Sequence, residues 1–294
     1  MLSTKALLRE SLAQLISLLG IDRATRALLW RDRVAVLVYH DPKPQVLDEH
    51  LSYLRSICDL VPLSAVQEPG NGVPRAAITL DDGNIGNADL LPVFIRHNVR
   101  PTIFLCSQFV AKPRKHWWLY SGATPAGVER LKRLTNAERL AELATAGYRQ
   151  DEFNEASGLT LHQISEMRPY VDFQAHTRFH PILTRCDDKE CYSEIADCKS
   201  ELESLIGEKC EHFAFPNGNY TGRELSFIKA AGYMTARTCN LGWNSVHTDP
   251  YQLKAVIIDD DASLRLFAAQ LTCIPVFLRY VRHGRNFSGK SPQF

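Results

Sequence analysis

The residues best suited to chemistry fall in two short runs. Ala76-Ala77-Ile78-Thr79-Leu80-Asp81-Asp82-Gly83 is an apolar stretch that ends in two adjacent carboxylates and a glycine. Consecutive residues of a strand point to opposite faces, but at a strand end followed by glycine the chain can turn both acids toward one cavity. Two carboxylates that close resist joint ionisation, so a metal ion or a basic side chain is expected beside them. Read instead as a turn or a helix N-cap, the run accounts for one Asp more readily than for two. Phe173-Gln174-Ala175-His176-Thr177-Arg178-Phe179-His180-Pro181 ends another apolar stretch and carries two histidines four apart. Such a pair can converge on one metal ion. Two imidazoles and one carboxylate make a three-ligand site with positions left for water, the arrangement of a catalytic metal. His-x-x-x-His alone is a weak signal. The Asp-Asp pair at a second strand end is what strengthens it.

Short β-branched runs supply the elements that must position these groups. Strands are predicted at Val34–Tyr39, Ala76–Leu80, Thr102–Cys106, Val171–Ala175, His212–Phe215, Tyr233–Arg237 and Leu253–Ile258. Helices are predicted at Val46–Ile57, Asn87–His97, Asp187–Leu205 and Arg223–Ala231, the last opened by a Thr221/Glu224 capping box and stopped by Gly232. This alternation implies parallel β/α units. Seven or so units favour a closed, distorted (β/α) barrel of the α/β class, and no G-x-G-x-x-G fingerprint of a dinucleotide fold is present. In such a barrel the C-terminal strand ends form the catalytic face. Lys112 to Met167 breaks the rhythm and reads as a helical insertion on the rim, with its own Thr135/Glu138 capping box. Its Trp117, Trp118 and Tyr120 are either platforms for a sugar ring or the insertion's own small core.

The chain has 294 residues, with Lys+Arg 34 against Asp+Glu 33 and a formal charge of +1. That balance argues against a general nucleic-acid binder. Of the eight cysteines, Cys186, Cys191, Cys198 and Cys210 cluster, but none forms a C-x-x-C pair, which argues against a zinc site, and with no secretory signal read, reduced thiols are expected rather than a disulfide framework. No run reaches the roughly 18 apolar residues of a membrane span. Leu8, Leu12, Leu15, Ile16 and Leu19 share one face of an amphipathic N-terminal helix, which either packs on the domain or rests on a membrane surface. No secretory signal is read there, so the expected location is the cytoplasm or the inner membrane face. The segment after Ile274 carries Arg279, Arg282, Arg285 and Lys290 and no acid, either as a solvated basic end or as a contact with anionic lipid or substrate.

The two chemical runs, in this order, resemble the motifs of the polysaccharide deacetylase family, the NodB-homology carbohydrate esterases. Ile78–Gly83 is similar to the first motif and His176–Pro181 to the second. Phe213-Ala214-Phe215-Pro216-Asn217-Gly218 resembles the third, and Val36–His40 resembles the Tyr-His strand that opens many members. The resemblance spans about residues 34 to 260. It divides the chain into an N-terminal amphipathic segment (1–33), the deacetylase barrel (34–260, insertion about 112–167) and a C-terminal helix with a basic tail (261–294). By this resemblance Asp82, His176 and His180 would bind one divalent metal ion, zinc or a similar ion. Asp81 would be the general base, and Asn217, between Pro216 and Gly218, would supply the backbone oxyanion donor. The activity implied is removal of N-acetyl groups from an acetamido sugar of a glycan or glycan precursor. Hydrolysis of another amide or formamide, or a barrel that binds glycan without turnover, are the other readings. Two departures stand out. The family arginine before the third-motif proline is Ala214 here, and Lys254 is the candidate substitute beside its reading as a surface lysine. No late Leu-x-x-His-like motif supplies a general acid, which leaves His40, and less favourably His247, each of which also reads as a turn histidine.

Overall fold

A computed structural model of the chain describes residues 4–110, 112–120, 122–123, 125–151 and 155–282. Among the described residues eight strands form: β1 Val34–Tyr39, β2 Asp59–Leu60, β3 Arg75–Leu80, β4 Thr102–Leu105, β5 Asp172–Ala175, β6 His212–Ala214, β7 Thr235–Leu241 and β8 Leu253–Ile257. All pairings are parallel, in the order β1-β8-β7-β6-β5-β4-β3-β2. β1 also pairs with β3, Val34 opposite Arg75 and Tyr39 opposite Leu80, and this contact closes seven strands into a barrel. β2, which periodicity does not predict, adds two residues beside the start of β3.

Both faces of the strands are covered, and β1 accordingly reads as a continuous apolar run. One face of the alternation points into the barrel, where Val34, Val36, Ala77, Phe104, Ala214 and Leu253 pack together. The other, with Ala35, Leu37, Ile78, Leu105, Phe173, Ala236 and Val256, packs under the surrounding helices. Small residues such as Ala77 and Ala214 suit the narrow interior.

Helices Pro44–Ile57, Asp188–Ile206 and Gly222–Ala230 lie where the sequence places them. The capping boxes Thr221/Glu224 and Thr135/Glu138 both form. The continuous helix expected over Asn87–His97 is instead a 3₁₀ turn, Ile85–Leu90, followed by the helix Leu91–Arg96. Pro92 explains the break, because it lacks the N–H a helix begun at Asn87 would need. The rim segment contains the helices Pro125–Leu131 and Asn136–Thr145. Trp117, Ala123, Leu131, Leu143 and Tyr148 form a core of its own, with Trp118 and Tyr120 packed on it.

The expected C-terminal helix forms over Ile274–Arg282, while Arg285 and Lys290 of the basic tail lie outside the described residues; the N-terminal helix departs from expectation in the face it buries. Helix Thr4–Leu18 packs on helix Leu264–Gln270, with Arg9 ion-paired to Asp259. It buries Ala13 and Ile16, whereas Leu8, Leu15 and Leu19 of the predicted apolar face stay exposed. No helix among the described residues is long and apolar enough to cross a membrane.

Candidate active site

Register decides which side chains reach the mouth of the barrel. On β3 the inward positions are Ala77 and Thr79, and Asp81 continues that parity. On β5, Phe173 and Ala175 face outward, so His176 turns inward. On β1 the inward series Val34, Val36, Val38 leads to His40. Asp82 has the wrong parity for the cavity. Its backbone takes a left-handed φ of 72°, followed by Gly83 at 63°, and that turn swings its carboxylate back beside Asp81. Thr177 and His180 are also left-handed, at 68° and 54°. They coil the loop after β5 so that both imidazoles face one point.

Asp82, His176 and His180 each offer a ligand atom within 4.8 Å of the others. The Asp82 Oδ1 lies 3.5 Å from the His176 Nε2 and 3.2 Å from the His180 Nε2. Tetrahedral ligands at roughly 2.0–2.1 Å from a metal stand about 3.3 Å apart, so this spacing fits a divalent ion. Oδ1 is buried and receives no hydrogen bond, a costly arrangement unless a cation completes it. The His176 Nδ1–H donates to the Ala214 carbonyl at 2.8 Å, which aims Nε2 at the centre. Burial would raise the Asp82 carboxyl, but the charge of His180 first, and the closeness of both imidazoles, hold it well below the usual range.

Asp81 is fixed from two directions. Its backbone N–H donates to the Tyr39 carbonyl at 2.9 Å, and its carboxylate is gripped by the Arg237 guanidinium, 2.5 Å from Oδ2. Both partners are buried, with Arg237 fully enclosed above the Phe104 ring. Burial alone would raise the Asp81 carboxyl; Arg237 first, then His176 and His40, outweigh it and hold the group ionised. The cation expected to replace the missing arginine at Ala214 is therefore Arg237, not Lys254. Lys254 follows the inward Leu253 on β8 and so points outward. It borders another cavity, with Arg33, Trp243 and His247, by the start of β1.

The site opens into a cavity of about 540 Å³ that contains Asp81, Asp82, His176, His180, His40 and Asn217. Asn217 is left-handed, with φ 55°, between the buried Pro216 and Gly218. Asp260 pins the end of β1, accepting from the His40 and Asp41 N–H groups at 3.0 and 2.9 Å. His40 is thus brought to the mouth; His247 is not.

Several supporting groups escape sequence reasoning. Arg237 carried a signal, as the one charged residue of the strand Thr235–Leu241. Glu194, on helix Asp188–Ile206, is buried and accepts from the Arg178 and Phe179 N–H groups at 2.8 and 2.9 Å, tying down the loop between the two histidines. Burial pushes its carboxyl up to about 7 despite those bonds. His116 stacks between Phe109 and Trp118, and burial pushes its pKa down to about 3. Trp118 in turn stands edge-on to His180, centroids 4.4 Å apart, and borders the cavity with Glu129 and Lys132. The insertion's aromatic residues therefore serve both as its core and as a cavity wall.

A parallel barrel whose mouth gathers two aspartates and two histidines is the architecture of a carbohydrate deacetylase. The sequence profile of the family described as Polysaccharide deacetylase matches residues 70–236, and the chain belongs to that family. Among solved structures it is similar to the deacetylase PplD of Streptococcus pyogenes, at 17% identity over 82% of this chain and 99% of that one, with a TM-score of 0.61. IcaB from Ammonifex degensii gives 16% identity, 83% and 99% coverage and a TM-score of 0.59. BC0361, a polysaccharide deacetylase from Bacillus cereus, gives 17%, 82% and 69%, and 0.58. At these identities the likeness is one of fold. No curated protein matches the chain.

Proposed function

We propose that the chain is a metal-dependent hydrolase that removes N-acetyl groups from an acetamido sugar of a glycan or glycan precursor. The observation that carries this reading is the convergence of Asp82, His176 and His180 on one point, with the ionised Asp81 beside it in an open cavity. Asp82, His176 and His180 would hold one divalent ion, zinc in the first instance. Bound there, such an ion acidifies a water molecule and polarises an acyl oxygen. Asp81 takes the proton from the attacking water, and Arg237 keeps that carboxylate charged and oriented. The Asn217 N–H is assigned to the developing oxyanion. His40 is assigned to protonate the leaving amine, a role its place at the rim supports. Trp118 offers an apolar face to a pyranose ring.

The test combines metal content with acetate release from chitooligosaccharides and from nucleotide- and lipid-linked acetamido sugars. Asp81→Asn is expected to keep the metal and lose turnover; His176→Ala is expected to lose both. Full activity in Asp81→Asn refutes the assignment of the base. Stoichiometric metal without acetate release from any of these substrates favours the binding-only reading.

A further inference from the structure

The helix Thr4–Leu18 has two apolar arcs rather than one. Ala13 and Ile16 face the protein and are buried, while Leu7, Leu8, Leu15, Leu18 and Leu19 lie on a separate arc of the helical wheel and are exposed, Leu18 at 76%. Leu28, 77% exposed, and Leu29 continue the exposure on the next turn, Arg26–Trp30. The helix Ile274–Arg282, which the first helix touches, adds exposed Phe277 and Leu278. Elsewhere large exposed apolar side chains are scattered, and isolated ones need no explanation; a group of nine on adjoining terminal helices does.

Charge identifies what would cover it. Residues 1–33 and 274–294 hold ten Lys and Arg against three Asp and Glu, a net +7, while residues 34–273 hold 24 against 30. A second copy of the chain would bring +7 against +7, which opposes self-association through this face. Leucine-rich faces flanked by arginines suit the interface of an anionic bilayer.

We infer that the two terminal helices form a docking surface for an anionic membrane. Val276 of the last helix borders the catalytic cavity while its neighbours Phe277 and Leu278 are exposed, so docking holds the cavity mouth close to the bilayer. Resting on the proposed activity, this favours an acetamido sugar carried on a lipid over a soluble one.

The test is co-sedimentation of the full chain with vesicles of phosphatidylcholine, alone or mixed with phosphatidylglycerol. The wild type is expected to sediment with the anionic vesicles and to be released by salt. Leu15→Ser/Leu19→Ser changes two side chains that are more than half exposed, so it keeps the fold by circular dichroism. Its vesicle binding is expected to fall at least about tenfold, with acetate release from a soluble oligosaccharide unchanged. No sedimentation of the wild type, equal binding to both vesicle types, or equal binding by the variant overturns the inference. A wild-type dimer that the variant converts to monomer, without vesicle binding, also overturns it. Vesicle binding needs no turnover, so a chain that docks but releases no acetate refutes the hydrolase reading alone.

Discussion

Replacing Arg237 by methionine isolates the most consequential interaction at the site. The Arg237 and Asp81 side chains are 0% and 7% exposed, so the pair belongs with buried ion pairs and not with surface ones. Surface pairs contribute at most about 1 kcal/mol. Removing one partner of a buried pair typically costs about 3–5 kcal/mol, because the other charge is left without compensation. Arg237→Met should therefore lower the unfolding free energy by about 3 kcal/mol or more at neutral pH. Asp81 can relieve that cost only by taking up a proton, which disables it as a base. kcat/KM at pH 7 is accordingly expected to fall by about 100-fold or more, and the acid limb of the pH–rate profile should move to higher pH. Asp81→Asn/Arg237→Met removes both charges and should recover most of the stability while staying inactive. Urea titration of wild type, both single variants and the double variant gives the coupling energy. Additive losses across that cycle, or a single Arg237→Met variant as stable and active as wild type, refute the argument.

Three further outcomes are expected. Glu194→Ala removes the acceptor of two backbone N–H groups and should cost about 1–3 kcal/mol, with weaker metal binding measured by competition with a chelator. Burial lowers the His50 imidazole to about 4 against an ordinary 6.5, so its neutral form favours the fold above pH 6.5 and that stabilisation is lost as pH falls from 6.5 toward 4. Between pH 7.5 and 5.0 this amounts to about 2 kcal/mol, and a denaturation series on His50→Gln should show a pH slope flatter than wild type by that amount. Gly218→Ala puts a Cβ 2.5 Å from the Cys239 Cβ at a φ of 74°, so it should cost roughly 2 kcal/mol or more and disturb the Asn217 turn, seen as a lower Tm together with a loss of kcat.

Most of the barrel strands were legible because their runs are largely apolar, a pattern that local sequence displays directly; β7, with polar side chains at Thr235, Arg237, Thr238 and Asn240, runs over Thr235–Leu241 instead of the predicted Tyr233–Arg237. The proposed metal ligands were legible because their types and spacing are unusual. Register was less accessible. Nothing local says that residue 237 faces inward and residue 254 outward, and that parity separates Arg237 from Lys254 as partner of Asp81. The closing contact of β1 with β3 joins residues about forty apart, and β2 is too short to show a period. At the N-terminus, periodicity showed that the leucines share a face but not which arc meets the protein. Ala13 and Ile16 are the residues buried, on a helix that packs on Leu264–Gln270.

The separate core of the rim segment has a consequence for the diversification of this enzyme family. Ala123, Leu131, Leu143 and Tyr148 form its centre, while Trp117, Trp118, Glu129 and Lys132 border the cavity. A lineage can thus remodel the lip of the cavity, by drift or by wholesale replacement of the segment, while the groups proposed for hydrolysis keep their scaffold. New glycan preferences should therefore map to this lip, and exchanging it between relatives is expected to transfer selectivity at nearly constant thermal stability.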